Sequence, residues 1–394
     1  MREKKLRVFI VHNYYQHLGG EDVVFENEVD KLSQNHVVKA YRTRNLSGFK
    51  GLLQFLKYPW NRRVCRRIIK EIQEFNPDVV HIHNMHYAIG LLLLRKLNAL
   101  DIPHVLTLHN YRFLCPSATL YHEGRIFSAS VKQSFPMTAV FRGVHNKSFL
   151  KTFWIALTYY FHKKIRSWQP HTHFLVFTEF AKSLFVHSTL KVPESRFYVK
   201  PNFVERPEVK EGNCAIRGNH FLFVGRLSEE KGIRQLIESV AGTTLQLKIL
   251  GTGPLEKEVL HYAEKYPGNI NFRGHQSRNV IFEEMRKASA LVMPSLWYEG
   301  MPLTVLEAYA TGTPVLGAHQ GVLGEVIKPH KTGLLFDSQD TKSIQKSLFD
   351  WLSLEDKDKI SNNCRIEYEK KYSPEVVMQQ LEKIYHELSI LKTK

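Results

Sequence analysis

The feature of this 394-residue sequence that most limits its fold is a regular alternation of short apolar runs with longer helical patterns. Such an alternation is typical of parallel sheets built from βαβ units. Several runs are unbroken stretches of Val, Ile, Leu and Phe, as expected of strands that are covered on both faces. Ten strands are predicted, five in each half of the chain: Arg7–His12, His36–Arg42, Asp78–Asn84, His104–Asn110 and His173–Glu179, then Phe221–Arg226, Gln246–Gly251, Asn269–Gly274, Ala290–Ser295 and Pro314–Ala318.

The length of the chain and its two sets of strands predict two domains, because one ordinary core rarely extends over so many residues. The best linker candidate is residues 199–213, which contain two prolines and several charges. The predicted fold class is therefore α/β, with two doubly wound, Rossmann-like domains, 1–200 and 201–373, facing each other across a cleft. Ligands of such sheets bind at the carboxyl ends of the strands. A final helix, about 374–391, is long enough to pack back on the first domain.

Composition places the chain among globular proteins, with 43% hydrophobic and 24% charged residues. No apolar run approaches the ~18 residues that a membrane-spanning helix needs. The first residues pass directly from charges into a strand-like run, without the pattern of a signal peptide. The four cysteines are scattered and lack metal-finger or disulfide spacing. These features predict a cytoplasmic protein.

The net charge of +17 is confined to the first half of the chain. Residues 1–200 hold 30 Lys and Arg against 13 Asp and Glu, whereas residues 201–394 hold 25 of each kind. This asymmetry indicates an anionic partner for the first half, such as lipid headgroups, nucleic acid or an anionic substrate. A well-solvated basic surface is the alternative.

Several loops that follow predicted strands have the residues expected around phosphate. Gly19 and Gly20 precede an amphipathic helix, where glycines let a ligand approach the backbone N–H groups at the helix start. A tight turn would explain them as well. Arg226 and Lys231 follow an apolar strand, and two cations there can neutralise a diphosphate.

Two more loops of the second half repeat this arrangement. Gly251 and Gly253 in "ILGTGP" would let the backbone close on a ligand. Gly274 and His275 in "FRGH" end the next strand and are candidates for presenting backbone groups to a nucleobase.

Two carboxylates stand eight positions apart in "SLWYEGMPLTVLEA", residues 295–308. Pro302 suits the first position of a helix, which places Glu299 in the preceding loop and Glu307 in the second turn. The free N–H groups at this helix start form an anion site by geometry and dipole; they belong to Met301, Leu303 and Thr304. A ligand with a central diphosphate and hydroxyls at each end suits the arrangement. Otherwise Glu299 would cap the helix and Glu307 would face solvent.

At these residues the chain resembles glycosyltransferase family 4, the retaining enzymes of the GT-B fold that use nucleotide-diphosphate sugars. The resemblance covers most of the chain. It rests on the Gly19–Gly20 loop, "TLHNYRFLCP" around His109, "VGRLSEEKG", "LGTGP" and above all the glutamate pair followed by "EAYATGTPVL".

The resemblance implies a role for each matching residue. Arg226 and Lys231 would hold the diphosphate, Glu299 the hydroxyls of the donor sugar and Glu307 the ribose. Phosphate and sugar would also meet the backbone of Gly300, Met301, Pro302, Leu303 and Thr304, while Gly20 would lie over the phosphates from the first domain and His109 would line the sugar site.

The implied reaction moves a sugar with retention, in a same-face displacement where the leaving diphosphate helps to take the acceptor's proton. Neither a cofactor nor a catalytic metal is expected. His109 as a general base is an alternative to a hydrogen bond with a sugar hydroxyl. His81 and His83 have a spacing that metals can use, without an identifiable third ligand in the sequence.

An aromatic segment between Tyr111 and Trp168 departs most from a regular α/β layout. Within it, residues 148–168 have helical periodicity with basic residues alongside, and residues 60–72 add a second basic cluster. They predict either a helix on an anionic membrane surface, which would admit a lipid-linked acceptor at the inner face of the membrane, or a buried helix.

Other functions compete with glycosyl transfer to a glycan or lipid-linked acceptor. A nucleotide-sugar epimerase or phosphorylase can share the fold, and a sensor without catalytic activity would keep the same binding residues. Nucleic-acid binding is not expected, because no stacking set or groove-reading module is identifiable.

Overall fold

The computed structural model describes residues 5–16, 19–207 and 217–390. The chain forms two compact units. Unit 1 contains residues 1–118, 128–201 and 377–394, and unit 2 contains residues 119–127 and 202–376. The last six residues of the predicted linker, 208–213, lie outside the described residues.

Unit 1 contains a six-stranded parallel sheet, in which β1, β3, β4 and β7 are mostly buried apolar runs and the edge strand β2 has no buried residue. The strand order is β2-β1-β3-β4-β7-β8. The strands are β1 (Arg7–Tyr14), β2 (Val37–Arg44), β3 (Val79–Ile82), β4 (His104–Thr107), β7 (Thr172–Val176) and β8 (Phe197–Val199). The short antiparallel hairpin of unit 2 lies between β4 and β7 in the chain and consists of β5 (Tyr121–His122) and β6 (Arg125–Ile126).

Helices connect the strands of unit 1, as crossovers between parallel strands require. They are α1 (Gly20–Asn35), α2 (Gly48–Lys57), α3 (Arg62–Phe75), α4 (Leu92–Ala99), α5 (Met137–Phe141), α6 (Phe149–Lys164) and α7 (Glu179–Val186), with 3-10 turns at Tyr58–Trp60, Ala129–Lys132 and Glu194–Arg196.

Unit 2 has a second six-stranded parallel sheet, with the strand order β11-β10-β9-β12-β13-β14. Its strands are β9 (His220–Val224), β10 (Gln246–Leu250), β11 (Ile270–Phe272), β12 (Ala290–Met293), β13 (Val315–Ala318) and β14 (Gly333–Phe336). Its helices are α8 (Ile233–Val240), α9 (Glu256–Lys265), α10 (Arg278–Lys287), α11 (Leu303–Ala310), α12 (Gly321–Val326), α13 (Thr341–Leu352) and α14 (Lys357–Lys371), with a 3-10 turn at Glu229–Lys231.

The last helix, α15 (Pro374–Ile390), starts in unit 2 and continues in unit 1. Its Tyr385 hydroxyl lies 2.6 Å from Nδ1 of the buried His81, and its Gln380 side chain donates a hydrogen bond of 2.6 Å to the carbonyl of Val199. Within the described part of the chain, no helix combines the length and the apolar character needed to cross a bilayer.

The two doubly wound sheets confirm the predicted α/β class, and all ten predicted strands are present. Sequence analysis missed β8, β14 and the hairpin. The prediction that Pro302 is the first residue of a helix is wrong, because Pro302 has extended backbone angles (φ −69°, ψ 119°) and is the N-cap of α11.

Candidate functional site

The candidate site of unit 2 lies where the order of the strands reverses. The chain adds β10 and β11 on one side of β9 but places β12, β13 and β14 on the other. The neighbouring strands β9 and β12 thus lie at the switch point of the sheet, and such a switch point is where doubly wound sheets bind ligands. A hydrogen bond of 2.9 Å from the backbone N–H of Leu296 to the carbonyl of Glu230 joins the loops that follow these two strands.

Gly232 allows these loops to approach each other closely. It has a φ of +68°, and a Cβ atom at this position would lie 1.9 Å from the carbonyl oxygen of Pro294. Both the left-handed backbone and the close contact require glycine. The 3-10 turn before Gly232 thereby carries Lys231 to the loop of Glu299.

Lys231 and Glu299 form an ion pair, with Nζ 2.8 Å from Oε1 and 3.1 Å from Oε2. Ser295 donates a further hydrogen bond of 2.6 Å to Oε1 of Glu299. Glu299 is 5% exposed and Lys231 22%, so the carboxylate depends on these donors rather than on water. Burial by itself raises the pKa of Glu299, but Lys231 and Ser295 outweigh it and hold the pKa below its ordinary value. The carboxylate is therefore charged at neutral pH.

Glu307 lies on the body of α11 with its side chain 13% exposed. Nε of Arg278, the first residue of α10, lies 3.4 Å from its carboxylate. Burial raises the pKa of Glu307 above its ordinary value, and Arg278 offsets only part of this rise. Glu307 is consequently neither a solvated helix residue nor a fully neutralised one.

Helix α11 begins directly after the loop that contains Glu299. No side-chain hydrogen bond caps this end, so Glu299 does not act as its cap. Met301 is buried, and its carbonyl accepts a hydrogen bond of 3.2 Å from Asn202. The chain from Gly300 through Met301 and Pro302 thus brings the first N–H groups of the helix, including those of Leu303 and Thr304, next to the loop of Glu299.

Arg226 follows β9 and has an exposed side chain. The presence of glycine at the nearby positions 251 and 253 is explained by packing within unit 2. A Cβ atom on Gly251 would lie 1.9 Å from the carbonyl oxygen of Gly225, and one on Gly253 would lie 2.4 Å from that of Leu227. Both glycines are therefore needed for the packing of adjacent loops, whether or not a ligand also approaches them.

Gly274 and His275 lie in the loop after β11. Gly274 has a φ of +63°, and its carbonyl accepts a hydrogen bond of 2.8 Å from the N–H of Gly251. Among the described residues no atom lies within 4 Å of a Cβ built on Gly274. His275 is exposed.

In unit 1, Gly19 is the N-cap of α1 and Gly20 is its first residue. The N–H of Gly19 donates a hydrogen bond of 2.7 Å to Asp22, whose other oxygen lies 2.7 Å from Nε2 of His12. Among the described residues no atom lies within 4 Å of a Cβ built on either glycine. The packing of these residues thus gives no reason for glycine at either position.

His109 follows β4 and is partly buried, with its Nε2 3.2 Å from Nδ1 of His83. Burial lowers the pKa of His109 well below its ordinary value, so this imidazole is neutral at pH 7. His83 follows β3 and is itself buried.

The metal hypothesis for His81 and His83 gains a third residue, the buried Glu28 of α1. Ligand atoms of these three side chains lie within 4.8 Å of one another. However, Nζ of the buried Lys200 pairs with the Glu28 carboxylate, and the ring nitrogens of His81 contact Tyr385 at 2.6 Å and Thr107 at 2.7 Å. These contacts engage both ring nitrogens of His81 and one oxygen of Glu28, and they place a cation where a metal ion would compete with it.

Sequence reasoning missed four partners of the predicted residues. Ser295 lies in the same segment as the two glutamates, and its hydroxyl, four residues before Glu299, could have been predicted as a partner of that carboxylate. Arg278, Glu28 and Lys200 had no such signal, because each meets its partner only through the order of the strands and helices.

Comparisons with known proteins agree with this architecture. Residues 8–206 match the family described as Glycosyltransferase Family 4, and residues 209–370 match the one described as Glycosyl transferases group 1. An uncharacterized glycosyltransferase of Methanocaldococcus jannaschii is 25% identical and covers 98% of this chain and 99% of its own length.

Two solved structures illustrate the fold. Sucrose-phosphate synthase of Thermosynechococcus elongatus has a TM-score of 0.70 at 14% identity, covering 98% of this chain and 99% of its own. The Anabaena protein HepE, in complex with UDP and glucose, has a TM-score of 0.66 at 13% identity, covering 97% and 100%. With the matches above, they identify this protein as a glycosyltransferase of the GT-B type that belongs to Glycosyltransferase Family 4.

Proposed function

We propose that this enzyme transfers a sugar from a nucleotide-diphosphate sugar to a glycan or lipid-linked acceptor, with retention at the anomeric carbon, in polysaccharide or glycolipid biosynthesis. The observation that carries this proposal is the buried Lys231–Glu299 pair at the switch point of unit 2. The complex of the Anabaena protein with UDP and glucose supports a donor of this kind.

Lys231 has the hydrogen-bonding capacity for a donor phosphate. An ammonium group has three N–H donors, and the two oxygens of Glu299 account for two of them. The third can donate to a phosphate oxygen. Arg226, exposed in the same loop, adds a planar fork that suits two oxygens of a diphosphate.

The two glutamates suit the two ends of such a donor. Glu299 is charged and fixed by Lys231 and Ser295, so its lone pairs are oriented to accept hydrogen bonds from the hydroxyls of the donor sugar. Glu307 is held less strongly, by one long contact with Arg278. Ribose hydroxyls would supply the donors that this carboxylate lacks.

The largest contribution to the rate would come from stabilising the departing diphosphate. Lys231, Arg226 and the first N–H groups of α11 would meet its developing charge, which is the kind of electrostatic effect that dominates many enzyme reactions. A leaving diphosphate that helps to take the acceptor's proton removes the need for a strong general base. The proposed reaction uses no cofactor and no bound metal.

A thermal-shift screen of UDP-, GDP- and ADP-sugars tests this assignment, because a ligand that binds only the native state raises its stability. We expect one class of donor to raise the melting temperature of the wild-type protein and not that of Lys231→Met. Lys248→Met is the matched control, since Lys248 forms a comparable ion pair with Glu284 at 2.5 Å elsewhere in unit 2. Equal shifts in all three proteins would refute the proposed role of Lys231.

The fate of the identified donor separates transfer from its alternatives. Incubation with candidate acceptors should yield the free nucleotide diphosphate and a glycosylated product with the anomeric configuration of the donor. Conversion of the donor alone to an epimer, or phosphate-dependent cleavage, would indicate a different enzyme of the same fold. Binding without any turnover would indicate a sensor.

The structure also supports peripheral attachment to an anionic membrane, through an apolar face on unit 1. We define this face as the exposed large apolar side chains of α2, α5 and α6, among which Phe49 and Leu150 are 73% and 76% exposed. The indole N–H of Trp154 on α6 donates a hydrogen bond of 3.0 Å to the carbonyl of Phe55 on α2, so these helices are adjacent. The members of the face are Phe49, Leu52, Leu53, Leu56, Met137, Phe141, Phe149, Leu150, Phe153, Leu157 and Phe161.

The charged residues in the two sequence segments that form the apolar face are all basic. The sequence contains no Asp or Glu between Asp30 and Glu71 or between Glu123 and Glu179, the two segments that carry these helices. Helix α3 begins with four further arginines, at positions 62, 63, 66 and 67, and Arg67 is paired with Glu71. Exposed apolar side chains surrounded by cations suit the headgroup region of an anionic bilayer, where a lipid-linked acceptor is located.

Sedimentation with vesicles that contain anionic lipid tests the membrane proposal. We expect Phe49→Glu and Leu150→Glu to weaken binding, whereas Leu260→Glu, which changes an exposed leucine of unit 2, should leave it unchanged. Failure of the wild-type protein to bind at low salt would refute the proposal, and so would equal binding by all three variants.

A further inference from the structure

Unit 1 contains a chain of buried polar contacts that ends at His109. Nε2 of His109 lies 3.2 Å from Nδ1 of His83, and Nε2 of His83 lies 3.4 Å from Oε2 of Glu28. The second oxygen of Glu28 pairs with Nζ of Lys200. His83, Glu28 and Lys200 are all buried, so water does not replace any of these contacts.

The ionisation states along this chain follow from its surroundings. Burial by itself raises the pKa of Glu28, but Lys200 and the two neighbouring histidines outweigh it and hold the pKa well below its ordinary value. Burial lowers the pKa of His83, as it does that of His109. A charged carboxylate therefore faces a neutral imidazole, which faces a second neutral imidazole.

A carboxylate only accepts hydrogen bonds, so Nε2 of His83 must carry the proton on the side of Glu28. Nε2 of His83 and Oε2 of Glu28 form no regular hydrogen bond among the described residues, but they face each other at 3.4 Å. A proton on Nε2 is attracted by the charged carboxylate, whereas a bare ring nitrogen would set its lone pair against that charge. A neutral imidazole has one N–H, and Nδ1 of His83 is therefore an acceptor. Nε2 of His109 must then be the donor to it, which leaves Nδ1 of His109 without a proton.

We propose that Glu28 and His83 are positioning residues that fix His109 in the tautomer whose Nδ1 accepts a hydrogen bond from a substrate hydroxyl. The role toward substrate rests on the proposed function. A histidine whose orientation and tautomer are set by a second group is a recurring arrangement in enzyme sites. The opposite tautomer would place an imidazole lone pair against the Glu28 carboxylate.

The tautomer can be measured without any substrate. In protein labelled with ¹⁵N-histidine, two-bond proton–nitrogen NMR correlations distinguish the protonated from the bare ring nitrogen. We expect wild-type His109 to carry its proton on Nε2. In the double variant Glu28→Gln with Lys200→Met, which removes both buried charges together, we expect a mixture of tautomers. Glu382→Gln is the control, because Glu382 contacts another buried histidine of unit 1, His36, at 3.1 Å.

Steady-state kinetics of the same variants provide a second test of the proposed positioning role. We expect the double variant to lower kcat by about 10- to 100-fold, as loss of an outer partner of a functional histidine commonly does, with the KM for the donor nearly unchanged. Glu382→Gln should change neither constant. A proton on Nδ1 of wild-type His109 would overturn the inference, as would an unchanged tautomer in the double variant. Because the NMR result needs no sugar nucleotide, it separates failure of this inference from failure of the proposed function.

Discussion

A double-mutant cycle on Lys231 and Glu299 tests whether one contact serves both stability and catalysis. Replacing Lys231 with Met leaves a carboxylate that is 5% exposed with neutral donors such as Ser295 and Trp297 but without its cation. Breaking a buried ion pair in this way costs about 3 kcal/mol. Replacing Glu299 with Gln should cost less, about 1–2 kcal/mol, because Lys231 is 22% exposed and can reach water. The double variant should lose about 1–2 kcal/mol, so that the coupling energy is about 3 kcal/mol.

Calorimetry and enzyme assays read the two effects separately. Unit 2 has about 180 residues, for which a loss of 3 kcal/mol lowers Tm by about 6–12 °C. Turnover should fall about 10²- to 10³-fold in Lys231→Met and stay low in the double variant even though stability recovers. The reasoning fails if the two losses in stability are additive within 0.5 kcal/mol, or if the double variant regains activity.

The stability of the wild-type protein and that of Lys231→Met should depend on pH in opposite directions. In the wild-type protein the pKa of Glu299 is lowered, so the ion pair stabilises the fold above the unfolded pKa of about 4.3, and this stabilisation is lost as pH falls through the folded pKa. In Lys231→Met, burial should raise the same pKa instead, and the charged carboxylate then destabilises the fold at higher pH. The difference in Tm between the two proteins should therefore decrease from pH 7.5 to pH 5.5.

Three further predictions follow from neighbouring residues. Arg226→Ala, at an exposed position, should lower kcat by at least tenfold with little change in Tm, and near-normal turnover would contradict its phosphate role. Glu307→Gln should raise Tm slightly, because burial raises the pKa of this carboxyl and makes its charged form unfavourable, while calorimetric titration shows weaker binding of the nucleotide; a lower Tm with normal binding would contradict this. Gly251→Ala should destabilise unit 2 by more than about 2 kcal/mol in thermal unfolding, since the added Cβ would lie 1.9 Å from a carbonyl oxygen, and an unchanged Tm would show that the loops can separate.

The strands were predictable from sequence because parallel strands buried on both faces are nearly continuous apolar runs. β8 and β14 were missed although β11 and β3, which also have three and four residues, were predicted, so strand length does not explain the difference. The order of the strands could not be read from the sequence, since it depends on which pairs form in space. That order is what brings Lys231 to Glu299 across 68 positions.

The site was predictable where the chemistry is local. The spacing of Glu299 and Glu307 and the position of Lys231 after a strand were visible as motifs. The buried contacts of His83 were not, because Glu28 is on a helix far earlier in the chain and Lys200, which pairs with Glu28, lies within the predicted linker. Of the two histidines whose spacing suggested metal ligands, His83 belongs to the chain of buried polar contacts that ends at His109, whereas His81 contacts Tyr385 and Thr107.

Unit 1 is built from segments that come before and after most of unit 2 in the chain, and this order affects folding during synthesis. Residues 202–376 are inserted within unit 1, which reaches its full set of contacts only when α15 is present. During synthesis, all six strands of the first sheet precede residues 202–376 of the second unit, but α15 can pack on that sheet only after those residues have been made. The hydrogen bond between Gln380 and Val199 also brings the two ends of the inserted segment close together. A short peptide joining residues 201 and 377 should accordingly yield an independent protein made of unit 1 and the 119–127 hairpin.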